Sequence, residues 1–147
     1  MREAAQWLID IEKPLWDIND LTPENISNPI EEFYVLWENE EGIAAMTLSF
    51  EDRFLWPHIK PNTSGFIHKL SVRRKHAGKG YAKTMAEHAK NVCLSKGIKY
   101  LRLDCDPHRA GLLKFYETCG FTLVEIKQLN TPKLGVIDLA MYEMKLT

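Results

Sequence analysis

The sequence predicts one mixed α/β domain, because segments with helical spacing alternate with short β-rich segments along the chain. The chain has 147 residues, which is enough for a single hydrophobic core. No internal repeat or low-complexity linker divides it, so residues 1–147 are expected to form one domain. The predicted element order is α-α-β-β-β-α-β-α-β-β, which implies helices packed on a sheet and at least one βαβ crossover.

The N-terminal part predicts two helices and then a hairpin. Apolar residues recur at helical intervals over 2–15, and Pro14 marks the end of this helix. A threonine followed by proline is typical of a helix start and predicts a short helix over 22–27. Segments 33–37 and 43–50 are rich in β-forming residues and flank a polar turn, which predicts a β-hairpin.

The middle of the chain predicts a long loop followed by a strand, a helix and a second strand. Residues 51–65 carry two prolines and several polar turn residues, and a loop of about 15 residues in a compact domain tends to have a function. A strand follows at 66–72. Residues 78–96 form one apolar helical stripe that Gly97 ends. The strand at 100–105 alternates apolar with charged side chains.

The last third of the chain predicts a helix and two strands. The helix covers 110–118 and ends near Gly120. Strands at 121–126 and 136–146 close the chain.

Composition and charge exclude several classes of function. The formal net charge is −1, so electrostatics gives no support for binding to nucleic acid or to an anionic membrane. No apolar run approaches the roughly 20 residues of a membrane helix, and the early acidic residues do not fit a signal peptide. The 3 cysteines lack metal-like spacing, so we expect reduced thiols, no metal and a cytoplasmic protein.

Residues 70–82 contain a turn that suits a phosphate group. A strand runs into a glycine-containing turn that opens a helix, so backbone N–H groups gather at the positive end of the helix dipole. Gly78, Gly80 and Ala82 allow a ligand to approach the backbone closely, and Lys79 adds positive charge. An ordinary strand–helix turn with solvated lysines fits these residues equally well.

The same stretch also admits a nucleotide-binding interpretation. Lys83 and Thr84 are similar to the end of a P-loop, and 100–104 could imitate the hydrophobic strand that ends in aspartate. Ala77 and Ala82 occupy the two positions where a P-loop requires glycine, so the spacing disfavours this interpretation. It would predict magnesium-dependent ATP binding.

The stretch Val-x(5)-Gly-Lys-Gly-x-Ala, from Val72 to Ala82, resembles the acetyl-CoA signature Arg/Gln-x-x-Gly-x-Gly/Ala of GNAT N-acetyltransferases. Ala77 takes the Arg/Gln position and Gly80 the glycine. The family contacts the pyrophosphate chiefly through backbone groups, so Ala77 retains the cradle. The longer stretch 68–80 is similar to bacterial members of the family, which implies a bacterial source.

A second stretch resembles the later motif of the same family, Asn-x-x-Ala/Leu-x-x-x-Tyr-x-x-x-Gly-Phe. Leu112, Tyr116, Gly120 and Phe121 match it. Arg109 departs from it, because it replaces the asparagine whose amide usually contacts the cofactor arm.

The resemblance extends over about residues 4–126 and implies a splayed, mostly antiparallel sheet flanked by helices. GNAT chains normally begin with a strand, whereas this one is predicted to begin with a helix. We therefore expect six strands rather than seven, with an edge that is exposed or covered by a partner, and a monomer or a homodimer. The implied activity is direct transfer from acetyl-CoA to a primary amine of a small molecule or peptide. A CoA-binding module without catalysis is the alternative.

The resemblance also implies roles for individual residues. Tyr116 would protonate the departing CoA thiolate, and the backbone N–H of Leu70 or Ser71 would polarise the thioester carbonyl. The implied cofactor contacts come from the strand end, the turn and the second motif: Leu70, Ser71, Val72, Ala77, Gly78, Lys79, Gly80, Tyr81, Ala82, Arg109 and Leu112.

His68 is the candidate base for the acceptor amine, because imidazole exchanges protons near neutral pH. It shares one face of its strand with Phe66 and Leu70. If that face looks into a cleft, His68 is well placed, and if it packs on a helix, His68 is a core histidine. Glu51 and Asp52 at the end of the preceding strand are the alternatives.

The acceptor pocket is expected at the long loop. Trp56 and His58 are candidates to line it, since aromatic side chains in functional loops often do so, although burial against the domain fits them equally well. Acidic residues near the expected mouth favour a cationic amine; they are Glu51, Asp52, Asp104 and Asp106.

Overall fold

One six-stranded sheet organises the part of the chain that the structure, a computed structural model, describes, namely residues 1–10, 22 and 30–146. The strands are β1 (Glu31–Glu38), β2 (Glu41–Ser49), β3 (Gly65–Val72), β4 (Tyr100–Cys105), β5 (Thr122–Thr131) and β6 (Gly135–Lys145). The described helices are α1 (Arg2–Asp10), α2 (Tyr81–Ser95) and α3 (Ala110–Thr118). The predicted mixed α/β class and the six strands are confirmed.

The elements agree with the sequence-based prediction except at their ends. The rest of the predicted helix 2–15, and the predicted helix 22–27 apart from Thr22, lie outside the described residues. Strand β5 continues to Thr131, beyond the end that the sequence predicted at residue 126. No described helix is long and apolar enough to cross a membrane.

The strand order β1-β2-β3-β4-β6-β5 places one parallel pair at the centre of the sheet. Every other neighbouring pair is antiparallel, and α2 connects β3 to β4 as the predicted crossover. Pairing between β3 and β4 ends at Ile67 opposite Leu103. Beyond this point β3 stays paired with β2 up to Val72 and β4 with β6 up to Cys105. The two central strands therefore separate.

A β-bulge lies in β3 at this separation. The pairing with β2 shifts between His68 and Ser71, so Lys69 and Leu70 together face a single residue of β2. Lys69 has a φ of 53°, in the left-handed region that few non-glycine residues adopt. A bulge bends its strand and turns the local backbone. The bulge therefore reorients the backbone of β3 just after Ile67, where the strand leaves β4.

Two hydrophobic clusters cover the two faces of the sheet. Ile67 packs with α2 and α3 in one cluster, whereas Phe66 packs with Trp56 of the long loop in the other. Adjacent strand residues point to opposite faces, so the helices cover one face and the loop covers the other. Gly65 lies under α2, where an added Cβ would overlap the sulfur of Cys93.

Helix α3 ends in a Schellman cap. Gly120 adopts a φ of 103°, and its N–H donates to the carbonyl of Glu117 at 3.0 Å. The N–H of Phe121 donates to the carbonyl of Tyr116, also at 3.0 Å. This pair of hydrogen bonds defines the motif, and α2 ends in the same way at Gly97.

Candidate active site

A cavity of about 690 Å³ opens where β3 and β4 separate. This volume is in the range of small-molecule sites. Most residues that the sequence assigns to a site line it: His68, Leu70, Ser71, Val72, Ala77, Gly78, Gly80, Tyr81, Ala82, Arg109, Leu112 and Tyr116. Lys79 is not among the described lining residues.

The turn before α2 presents unpaired backbone donors to the cavity. Gly78 and Gly80 have φ values of 75° and 86°, which glycine adopts without strain. The first hydrogen bond of α2 runs from the N–H of Thr84 to the carbonyl of Gly80 at 3.1 Å, so the preceding N–H groups of the helix lack intrahelical acceptors. The ring nitrogens of His76 have no hydrogen-bond partner in the described chain, although Nε2 lies 3.8 Å from a carboxylate oxygen of Glu41. The backbone donors of the turn fit a phosphate-containing ligand.

Tyr116 contributes a largely buried side chain to the cavity wall. Tyr116 is 6% exposed, and its hydroxyl makes no hydrogen bond with another residue of the described chain. Its ring is held between Phe115, at a centroid distance of 5.1 Å, and Phe121, at 5.7 Å. Burial raises the pKa of Tyr116 well above its ordinary value. The hydroxyl therefore keeps its proton at neutral pH.

Hydrogen bonds fix the ring of His68 at the other side of the opening. The hydroxyl of Ser49 donates to the carbonyl of Glu51 at 3.1 Å and lies 3.2 Å from Nε2 of His68. Because the single hydroxyl proton of Ser49 is already used, Nε2–H of His68 donates to Ser49. The neutral ring then has its lone pair on Nδ1. The carboxylate of Asp52 lies 3.8 Å from the same Nε2 atom.

Asp52 is itself fixed by the loop. Its carboxylate accepts the backbone N–H groups of Phe54 at 3.1 Å and Leu55 at 2.8 Å. Asp52 does not line the cavity directly, and it acts on the cavity through His68.

Arg109 brings positive charge to the wall beside Tyr116. The guanidinium of Arg109 lies 5.0 Å from the ring centroid of Trp7, and that of Arg74 lies 3.9 Å from the same centroid. Burial lowers the pKa of Arg109, although the group remains cationic. Its charge acts to lower the pKa of Tyr116, against the larger effect of burial.

Asp104 is a part of the site that the sequence indicated only as a charge near the mouth. It lies near the end of β4, is half-buried and lines the cavity. Burial raises the pKa of Asp104 to about 6, and the charges of His68 and Lys69 oppose this increase. Asp106 is buried, and its carboxylate accepts the backbone N–H of His108 at 2.8 Å. The signal available in the sequence was the alternation of β4, which puts an acidic residue on the face of Arg102.

Like Asp52, the other three predicted acceptor residues do not line the cavity. Trp56 is 3% exposed and packs on Phe66 in the second cluster, because the loop folds back on the sheet. His58 is exposed, with its ring 6.3 Å from that of Trp56. The carboxylate of Glu51 forms an ion pair with Nε of Arg53 at 3.2 Å. The loop residue that lines the cavity is Leu55.

A protein-family model, described as the acetyltransferase (GNAT) family, matches residues 2–121. An uncharacterized N-acetyltransferase, YesJ, from Bacillus subtilis is 28% identical over 131 residues, which are 80% of this chain and 70% of that protein. A streptothricin acetyltransferase from Escherichia coli is 27% identical over 130 residues, with coverage of 86% and 68%.

A solved structure shares the fold. A GNAT family acetyltransferase from Elizabethkingia anophelis with acetyl-CoA bound superposes with a TM-score of 0.64 at 18% sequence identity. The superposition covers 80% of this chain and 77% of that one.

Proposed function

The chain belongs to the GNAT acetyltransferase family and is an acetyl-CoA-dependent acyltransferase, and we propose that it acetylates a primary amine directly within a ternary complex. The observation that carries this proposal is the unpartnered hydroxyl of Tyr116 in the cavity between the separated strands.

The cofactor is proposed to lie along the gap between β3 and β4. The unpaired N–H groups at the start of α2 suit its pyrophosphate. Beyond Ile67 and Leu103 the facing edges of both strands have no ladder partner, and the amide groups of the pantetheine arm supply matching donors and acceptors. The bulge at Lys69 supports the Leu70 N–H as the donor to the thioester carbonyl.

His68 is proposed to accept the proton of the attacking amine. As the C–N bond to the acetyl carbon forms and the C–S bond breaks, the amine proton passes to Nδ1 of His68, directly or through water. Ser49 holds the opposite nitrogen, and the Asp52 carboxylate stabilises the resulting imidazolium. His68 then returns its proton to solvent.

Tyr116 is proposed to donate its hydroxyl proton to the departing CoA thiolate. The raised pKa of Tyr116 ensures that the proton is present, but it also makes the phenolate costly to form. The nearby guanidinium of Arg109 reduces that cost, which gives a role to the residue that replaces the usual asparagine. Solvent reprotonates Tyr116 after the product leaves.

We also propose that the enzyme acts in the cytoplasm of a bacterium, as a monomer or a homodimer. The two curated relatives are bacterial. Cys93, Cys105 and Cys119 are free thiols, as a reducing compartment allows. The edge strand β5 exposes Leu123 and Ile126, which a second copy could cover.

The test is Tyr116→Phe, assayed as CoA release with a panel of primary amines. We expect kcat to fall by about 10²–10⁴-fold, the usual contribution of a general acid, while the dissociation constant of acetyl-CoA stays within a few-fold of that of the unmodified protein. Tyr100→Phe is the matched control, because Tyr100 lies at the other end of β4 and does not line the cavity. An unchanged kcat in Tyr116→Phe would show that the acid assignment is wrong.

A further inference from the structure

The two consecutive arginines that follow β3 differ in their partners. The Nε atom of Arg73 donates to the carbonyl of Gly42 at 2.6 Å, and the carboxylates of Glu41 and Glu3 lie 3.7 Å and 3.6 Å from its guanidinium group. Arg74 lines the cavity instead, and no carboxylate of the described chain lies within ion-pair distance of it. The fold therefore directs one cation into the cavity without an anionic partner.

Trp7 of α1 holds the side chain of Arg74 at the cavity wall. The guanidinium carbons of Arg74 and Arg109 both lie within 5.0 Å of the centroid of the same indole ring, and each arrangement is a cation–π contact. Like charges close together repel. Burial lowers the pKa of Arg109, and the charge of Arg74 lowers it further. An anion bound beside the indole would relieve this repulsion.

Helix α1 lies on the face of the sheet opposite to α2 and α3. Ala44 packs in the cluster under those two helices, so its neighbour Ala45 and the cross-strand partner Val35 point to the other face. Ala45, Val35 and Ala4 of α1 line a second cavity of about 490 Å³. Trp7 therefore approaches the cavity between β3 and β4 from the side away from α2.

The proposed reaction places the acceptor on the face that α1 covers. His68, the proposed base, lies two residues after Phe66 on β3, and the cluster around Phe66 packs on the face away from α2. The cofactor pyrophosphate is proposed to lie at the start of α2, and the pantetheine arm between the strands carries no charge. Arg74, stacked on Trp7, is therefore a cation on the acceptor side of the cavity.

Resting on the proposed function, we propose that Arg74, positioned by Trp7, binds a carboxylate of the acceptor, so that the substrates are amino acids or other amines that carry a carboxylate. A guanidinium group presents its N–H donors in a planar fork that matches the two oxygens of a carboxylate. Because the cofactor brings no negative charge to this side, the acceptor has to supply the anion. The amine of the same molecule reacts at His68, and the carboxylate takes no part in the bond changes.

The experiment compares amines with and without a carboxylate at equal carbon number. The pairs are glycine with ethylamine, β-alanine with n-propylamine, and γ-aminobutyrate with n-butylamine, since the separation of Arg74 from the reacting atoms selects the chain length. Binding to the enzyme–CoA complex is measured by calorimetry at low salt, and kcat/KM is measured with acetyl-CoA. We expect the carboxylate-bearing member of at least one pair to bind about tenfold more tightly, as for one charge-assisted contact.

Arg74→Gln and Arg73→Gln are matched variants, because each removes one positive charge at neighbouring positions. Arg74→Gln should reduce the preference for the carboxylate to less than about threefold, with the affinity for acetyl-CoA within a few-fold of that of the wild type. Arg73→Gln should keep the preference, since Arg73 is engaged by other residues. If Arg74→Gln weakens acetyl-CoA binding and leaves the preference intact, Arg74 serves the cofactor and the inference is overturned.

Trp7→Phe and Trp7→Leu test the positioning of Arg74. Phenylalanine keeps an aromatic face for the guanidinium group, whereas leucine does not. Trp7→Phe should therefore retain most of the preference, and Trp7→Leu should lose it. The preference is a ratio between two amines, so effects that reach both amines through Arg109 and Tyr116 cancel. A Trp7→Leu enzyme with the wild-type preference would overturn the positioning role.

The outcomes separate this inference from the proposed function. Equal affinity and equal kcat/KM for both members of every pair would overturn the inference and leave amine acetylation standing. Tighter binding of a carboxylate-bearing amine, without acetylation of any amine, would overturn the proposed function alone.

Discussion

Asp104 links the ligand site to the pH dependence of folding. Burial raises its pKa from 3.8 to about 6, so the folded protein holds this proton more tightly than the unfolded chain does. The stability that comes from neutral Asp104 is therefore fully present below about pH 3.8 and is lost as the pH rises through about 6. Such a pKa difference corresponds to at most about 3 kcal/mol.

The corresponding prediction is that Asp104→Asn is more stable than the wild type at neutral pH. The amide removes the charge that burial disfavours, so we expect a gain of about 1–3 kcal/mol in the free energy of unfolding near pH 8. The gain should shrink as the pH falls from about 6 towards 4. Urea unfolding of both proteins across this range checks it. If the difference in the free energy of unfolding between the two proteins does not change with pH, the carboxylate is well solvated in the folded protein and the prediction is wrong.

The sequence could assign a location to some residues of the site but not to others. Tyr116 was expected at the site through its resemblance to the family motif, and His68 was left open between a cleft and a core position; both line the cavity. The sequence could not decide whether Trp56 lines the acceptor pocket or packs in the core, because an aromatic side chain suits both environments; the structure buries it in the core. The burial of Asp104 in the cavity wall depends on how the two central strands separate, and tertiary structure alone decides that.

The C-terminal cap of α3 explains the spacing from Tyr116 to Gly120 and Phe121 in physical terms. In a Schellman cap the residue after the glycine bonds back to the last full turn, and an apolar contact often accompanies it. Here Phe121 bonds to the carbonyl of Tyr116 and packs on its ring in a T-shaped arrangement. The spacing that resembles the family motif therefore also holds the side chain of the proposed acid in place.

Gly120→Ala tests this arrangement. At a φ of 103° an L side chain is strained, so we expect a loss of about 1–2 kcal/mol in the free energy of unfolding and a lower kcat. Gly111→Ala is the control for stability, because Gly111 lies inside α3 with open space around it. That change should be neutral or stabilising by up to about 1 kcal/mol. A Gly120→Ala protein as stable as wild type would show that the cap adapts without strain.

The elements themselves were largely predictable, whereas two of their features were not. Alternating and helical periodicity placed the strands and the two later helices to within a few residues. The bulge at Lys69 was not predicted, since a left-handed bulge position is signalled in a sequence by glycine and lysine gives no such signal. The end of pairing at Ile67 depends on contacts with neighbouring strands and has no local signature.

At the scale of the whole molecule, the sheet consists of two halves joined by a short parallel contact. Each half keeps its own antiparallel partners, and only three residue pairs connect β3 to β4. The remaining edges of these strands face the cavity, and α2 and α3 bridge the halves on one side. A ligand that fills the gap therefore completes the sheet and should add to the stability of the entire domain.

The last prediction is that acetyl-CoA and CoA raise the melting temperature, while ATP with magnesium does not. A ligand that binds only the folded state adds about 2.7 kcal/mol at 100 times its dissociation constant. For a domain of this size each kilocalorie corresponds to roughly 2–4 °C, so a shift of about 5–10 °C is expected. The control ligand separates the CoA site from a P-loop, which would respond to ATP. A shift with neither CoA species would mean that the turn before α2 does not bind the pyrophosphate, and Ala77 and Arg109 would be the first positions to restore to the family residues.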